Sequence, residues 1–179
     1  MTDLSSAQTW FMRAGFLGLG LAILFFQLLP LETVPRSFAG PDLLIAFTFA
    51  WALRRPDFVP VLLVAAVLLL SDLLLQRPPG LWAVLAVLAT QALKKREPGL
   101  RDQTFAVEWL TVGITLLILM LCYRLTLAVL LIPQAPLGLT VIQTVATIIA
   151  YPLVAALTNY VFGVRKLQPG DLDASGART

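Results

Sequence analysis

Between residues 10 and 162 the chain is a succession of six apolar runs, separated by short breaks of proline, glycine and charge. The runs cover about 10–29, 41–53, 58–75, 80–93, 105–132 and 137–162. Crossing the ~30 Å hydrocarbon core of a bilayer takes about 20 helical residues, which the first, fifth and sixth runs supply with ease. The second and fourth are short: residues 41–53 rise only about 18 Å as a helix. Short Gly/Pro-bounded helices occur at transporter binding sites, and such segments can be re-entrant. A single re-entrant segment, however, would move every later connection to the other side of the membrane.

That move conflicts with the placement of Lys and Arg. Arg13, then Arg54 and Arg55, then Lys94, Lys95, Arg96 and Arg101, then Arg165, Lys166 and Arg178 fall on alternate connections, ten residues in all. The intervening connections hold Arg36 and Arg77, and Arg124 sits inside the fifth run. Insertion retains basic loops on the cytoplasmic side, so a bias of ten to two predicts six spans with both ends cytoplasmic. The expectation is an all-α integral membrane protein, a six-helix bundle over 1–167, whose short helices are shielded by neighbours or thin the bilayer. Residues 168–179 carry turn-forming composition and read as a flexible cytoplasmic tail.

The breaks have clear chemistry. Gly40-Pro41 suits a helix start, because proline is tolerated in the first turn. Pro78-Pro79-Gly80 ends the third helix and begins the fourth. Pro56, Pro98, Pro133 and Pro136 fall in the remaining connections, and Tyr151-Pro152 marks a bend in the sixth helix. The first run follows Arg13 without a small-x-small cleavage site and reads as a retained span.

Hydrophobic residues make up 59% of the chain and charged ones 13%, too few to cover the surface of a soluble domain. The net charge of +3 is spread over short loops rather than gathered in a stripe, which argues against nucleic acid. With no His and one Cys, the chain has no nucleophile–His pair, no Cys/His zinc spacing and no intrachain disulfide. No phosphate-binding glycine loop is present either, so neither an enzyme nor a cofactor is expected.

On the expected topology, the polar residues inside the apolar runs gather toward the outer side. Asp72 falls ~21 Å from the cytoplasmic edge and Arg124 ~28 Å from it. Asp42 opens the second helix, Gln76 and Arg77 close the third, and Gln143 lies two turns into the sixth. Charge at membrane depth is costly unless paired or snorkelling. The expected cluster joins Arg124 to Asp72 or Asp42, with Arg77 as a second cation. It would form a docking surface or a substrate pocket. The plainer reading makes Asp42 a helix cap and sends Arg77 and Arg124 to lipid headgroups.

Ala14, Gly18 and Ala22 align small side chains on one face of the first helix. That face permits close packing on another helix of this chain or on a partner. Arg54, Arg55, Lys94, Lys95 and Arg96 form a cytoplasmic basic patch, which serves as a topological anchor or as a contact for anionic lipid and acidic partners. Glu108 suits a helix start, and Trp10, Trp82 and Trp109 read as interfacial anchors.

Gly40-Pro41-Asp42-Leu43-Leu44, Leu53-Arg54-Arg55-Pro56-Asp57, the run from Asp72 to Leu81, Gln143 and Tyr151-Pro152-Leu153 together resemble the rod shape-determining protein MreD family. The similarity in size and topology covers nearly the whole chain, and the motifs cover mainly 40–101 and 143–153. Where many members carry glycine four residues before the third-span acid, this chain has Leu68. The resemblance implies a non-enzymatic inner-membrane scaffold of the bacterial elongation machinery. Such a scaffold binds the single-span protein MreC and works with MreB, RodA and the RodA transpeptidase partner in peptidoglycan synthesis. It also implies a fold similar to the S-components of energy-coupling-factor vitamin transporters. A small-molecule-binding subunit of that kind is therefore the alternative function. Pro41-Asp42 and Asp72 through Gly80 are the positions that carry the family pattern.

Overall fold

The computed structural model describes residues 6–29 and 39–162, and every regular element among them is helical. Arg36, Arg165, Lys166, Arg178, both chain ends and the expected tail lie outside the described residues. Six helices follow in order: α1 (Ser6–Leu28), α2 (Leu43–Arg54), α3 (Val61–Leu74), α4 (Leu81–Leu100), α5 (Phe105–Val129) and α6 (Leu137–Phe162). A 3-10 turn, Pro56–Phe58, joins α2 to α3. Stretches of α1, α5 and α6 are long and apolar enough to cross a membrane, as befits an integral membrane protein.

Helix α2 is the core. Every residue from Leu44 to Arg54 is buried, including Trp51 and Phe49. A helix apolar all round belongs inside a bundle, which accounts for its shortness. Helices α1, α4 and α6 pack on it, and the contacts α1–α3, α3–α4, α4–α5 and α5–α6 link the other helices in an arc around it. Neighbouring elements alternate in direction. Arg13 of α1 donates to the Asp57 carbonyl, and Lys94 near the end of α4 donates to the carbonyls of Pro56 and Val59. Arg54 at the end of α2 meets Glu108 at the start of α5. We call this the basic end. Asp42, Arg77, Gly80, Arg124 and Thr140 meet one another or their neighbours at the opposite end.

Two expectations are corrected or narrowed. Pro98 lies within α4, whose helix continues past the fourth apolar run to Leu100. Helix α5 is continuous through Arg124, since a charged side chain leaves backbone hydrogen bonding intact. Of the two readings of the Ala14, Gly18 and Ala22 face, packing within the chain is not seen: the face is exposed and meets no other helix among the described residues. The packed face carries Phe16, Gly20, Ile23 and Leu24 instead. At Gly20 a β-carbon would sit 2.9 Å from Val67 Cγ1, so glycine sets the approach of α1 to α3.

The proline in α6 is accommodated by a side chain from α5. Pro152 has no N–H, which leaves the Ile148 carbonyl without its helical donor. Trp109 Nε1 donates to that carbonyl at 2.8 Å. Trp109 thus seals a backbone gap in the neighbouring helix, a role its position near an expected interface did not reveal.

Candidate functional site

At the end opposite the basic residues, the helix termini are built by side chains that reach across turns. The Asp42 carboxylate caps α2, accepting from Ile45 N–H at 3.2 Å. Its backbone N–H donates to Thr147 Oγ1 on α6 at 2.8 Å, tying the two helices together. Asp72, fully buried on α3, caps a different helix. Its Oδ2 accepts from the N–H groups of Gly80 and Ala83, at 3.1 and 3.0 Å, at the start of α4. Gly80 has φ +83°, a left-handed conformation that suits glycine. The Pro78-Pro79-Gly80 break therefore folds back so that the α3 acid serves the α4 dipole.

Helix α3 ends with Gln76 at φ 53° and the Arg77 N–H bonded to the Asp72 carbonyl at 3.0 Å. Helix α5 ends in the same way, with Leu131 at φ 55° and the Ile132 N–H bonded to the Leu127 carbonyl at 3.0 Å. Both are Schellman endings whose left-handed position is not glycine.

Between these ends lies a cavity of about 370 Å³, within the usual size range for small-molecule sites. Its wall carries Asp42, Gln76, Arg77, Gln143, Trp82 and Tyr123, and its apolar lining includes Leu116, Met120 and Leu127. Arg77 Nη2 is 3.8 Å from Asp42 Oδ2, and its guanidinium lies over the Trp82 ring, 5.3 Å from the centroid. Trp82 in turn meets Tyr123 edge-on at 5.2 Å.

Four of the six expected polar residues thus converge on the cavity: Asp42, Gln76, Arg77 and Gln143. Asp72 and Arg124 are not among the residues that line it. Arg124 pairs with neither acid. Its Nη1 donates to the Ala135 carbonyl at 3.1 Å and to Thr140 Oγ1 at 3.0 Å, while Gln134 returns a bond to the Arg124 carbonyl. It clamps the α5–α6 connection. Position along a helix gives depth but not azimuth, and Arg124 faces the connection rather than α2 or α3. The cation beside Asp42 is Arg77.

A second polar cluster, unforeseen in the sequence, sits at the basic end. Glu108 is fully buried, accepts from Tyr151 Oη at 2.9 Å and lies 3.6 Å from Arg54 Nη2. Arg54 Nη1 also donates to the Ala155 carbonyl at 3.0 Å. Phe105 stacks on Tyr151 with ring planes 9° apart. The available signal was that Arg54 and Glu108 close and open helices at the same expected membrane edge.

The basic patch divides accordingly. Arg54 and Lys94 are bound within the bundle, Arg55 lies over Phe58, and Lys95 and Arg96 are exposed. Lys94 lies just past the fourth apolar run, where burial lowers its pKa; Asp57 opposes that shift and Arg13 adds to it. Arg101 forms a bidentate pair with Glu97 at 2.7 and 3.0 Å, and those hydrogen bonds raise its pKa. In comparisons with family models, curated proteins and solved structures, the chain matches none.

Proposed function

We propose that this chain is a six-span scaffold of the bacterial inner membrane, with both ends cytoplasmic, that binds MreC and supports peptidoglycan synthesis and rod shape. The observation that supports this reading is convergence. Asp42, Gln76, Arg77, Pro78 and Gln143 belong to the segments that carry the family resemblance and are far apart in sequence, yet they line one cavity. A partner that engages this end would explain why those segments are brought together. MreB, RodA and the RodA transpeptidase partner would join through the same complex, and Lys95 and Arg96 would face cytoplasmic partners or lipid headgroups. The test is co-purification of MreC with the full chain in mild detergent. Asp42→Ala combined with Arg77→Ala should reduce MreC recovery several-fold, and unchanged recovery would reject this site as the contact.

The cavity also favours a second reading, a small-molecule-binding membrane subunit similar to an S-component. Native mass spectrometry of the purified chain tests it, because such a subunit should retain a bound molecule.

A further inference from the structure

The cavity gathers on one wall several polar side chains with hydrogen-bonding capacity left unspent. Arg13, Arg54, Arg101 and Arg124 each donate hydrogen bonds to a carbonyl, a hydroxyl or a carboxylate. The Arg77 guanidinium donates none among the described residues. Its contacts are the Trp82 face and an ion pair with Asp42 at 3.8 Å, longer than a hydrogen bond. An arginine carries five N–H donors in a planar fork matched to a carboxylate. The side-chain amides of Gln76 and Gln143 and the Tyr123 hydroxyl likewise make no hydrogen bond among the described residues, and all three line the same cavity. The threonine hydroxyls differ: Thr140, Thr144 and Thr147 each donate to the carbonyl four residues back.

Spare donors around a concave wall call for an anionic group. Asp42 forbids a simple anion, because its Oδ2 faces the same space and would repel one. A ligand that brings a cation to Asp42 and an anion to Arg77 satisfies both. The two protein charges are 3.8 Å apart, so the ligand charges must be close to each other. Leu116, Met120 and Leu127 offer the rest of the molecule an apolar bed. We propose that this cavity binds a compact zwitterion with an apolar body, of the α-amino-acid kind, its carboxylate on Arg77 and its ammonium on Asp42.

This inference rests on the small-molecule reading above and adds the ligand class. A free amino acid and the serine headgroup of a phospholipid share the required chemistry, and the experiment separates them. Calorimetry on the full chain in detergent uses L-leucine as the soluble probe, with isovalerate lacking the amine and isopentylamine lacking the carboxylate. Nanodiscs with and without phosphatidylserine provide the lipid arm. Saturable leucine binding at least about tenfold tighter than either truncated probe supports the proposal, since each probe loses a charged hydrogen-bonding group. Binding only in the phosphatidylserine arm supports the lipid source. Because the probes vary the ligand, the result does not depend on a variant that folds. Arg77→Gln should weaken leucine binding about tenfold, with Lys95→Gln at the opposite end as the unchanged control. Equal binding of leucine and isovalerate would overturn the zwitterion, as would failure of both arms. If native mass spectrometry then still finds a retained molecule, the small-molecule reading stands without this ligand class; if it finds none, both fall.

Discussion

The two ends of α2 carry the same ingredients in opposite states. At the basic end, Arg54 meets Glu108 and the Ala155 carbonyl, Tyr151 donates to Glu108, and all three side chains are buried. At the other end, Arg77 meets Asp42 at 3.8 Å, a quarter of its side chain is exposed, and a cavity of about 370 Å³ adjoins the pair. The first pair is buried, with its charge held among close partners. The second keeps donors in hand and space to use them. Ion pairs in one protein can therefore serve different ends, and burial and adjoining space separate them better than charge does.

The comparison breaks most visibly if Glu108 is removed. Glu108→Ala should cost about 3–5 kcal/mol by stranding the buried Arg54. The expected outcome is early thermal loss of the monodisperse species in detergent, with partial recovery in Glu108→Leu combined with Arg54→Met. A single variant as stable as the parent would show that the basic-end cluster does not hold the bundle.

A smaller effect belongs to the α5–α6 seal beside that cluster. Trp109→Phe removes the donor to Ile148 and should cost about 1 kcal/mol. In a Pro152→Ala background the backbone N–H can fill that role, so the same change should cost less. Additive costs in the thermal cycle would rule out the seal.

The smallest effects lie at the cavity end. Arg77→Ala should change stability by no more than about 1 kcal/mol, as expected of a partly exposed pair. Leu131 is 90% exposed, so Leu131→Gly gives up little packing while relieving a left-handed side chain. It should raise the thermal midpoint by an amount worth up to about 1 kcal/mol. A large loss in either variant would make the cavity end as structural as the other.

Hydropathy and proline placement came close to the helices, because backbone breaks are local events. Residues 41–53 became Leu43–Arg54 and residues 137–162 became Leu137–Phe162. Depth along each helix was also legible, and it gathered Asp42, Gln76, Arg77 and Gln143 at one end. Rotation about the helix axis was not, since a helix apolar nearly all round has no amphipathic stripe to orient it. Arg124 was therefore given the wrong partner, and whether the Ala14-Gly18-Ala22 face turns inward or out could not be read. Glu108 was hidden for another reason. An acid in a first helical turn satisfies the dipole argument so well that nothing prompts a search for Arg54.

The central place of α2 has a consequence for biosynthesis. The residues that compensate the charged ends of this helix are translated after it: Arg77 for Asp42, and Glu108 for Arg54. Until α5 emerges, the nascent chain must hold Arg54 at a water-accessible edge. The core helix can settle only after more than half of the chain has been translated, so insertion and final burial of α2 are separate events in time.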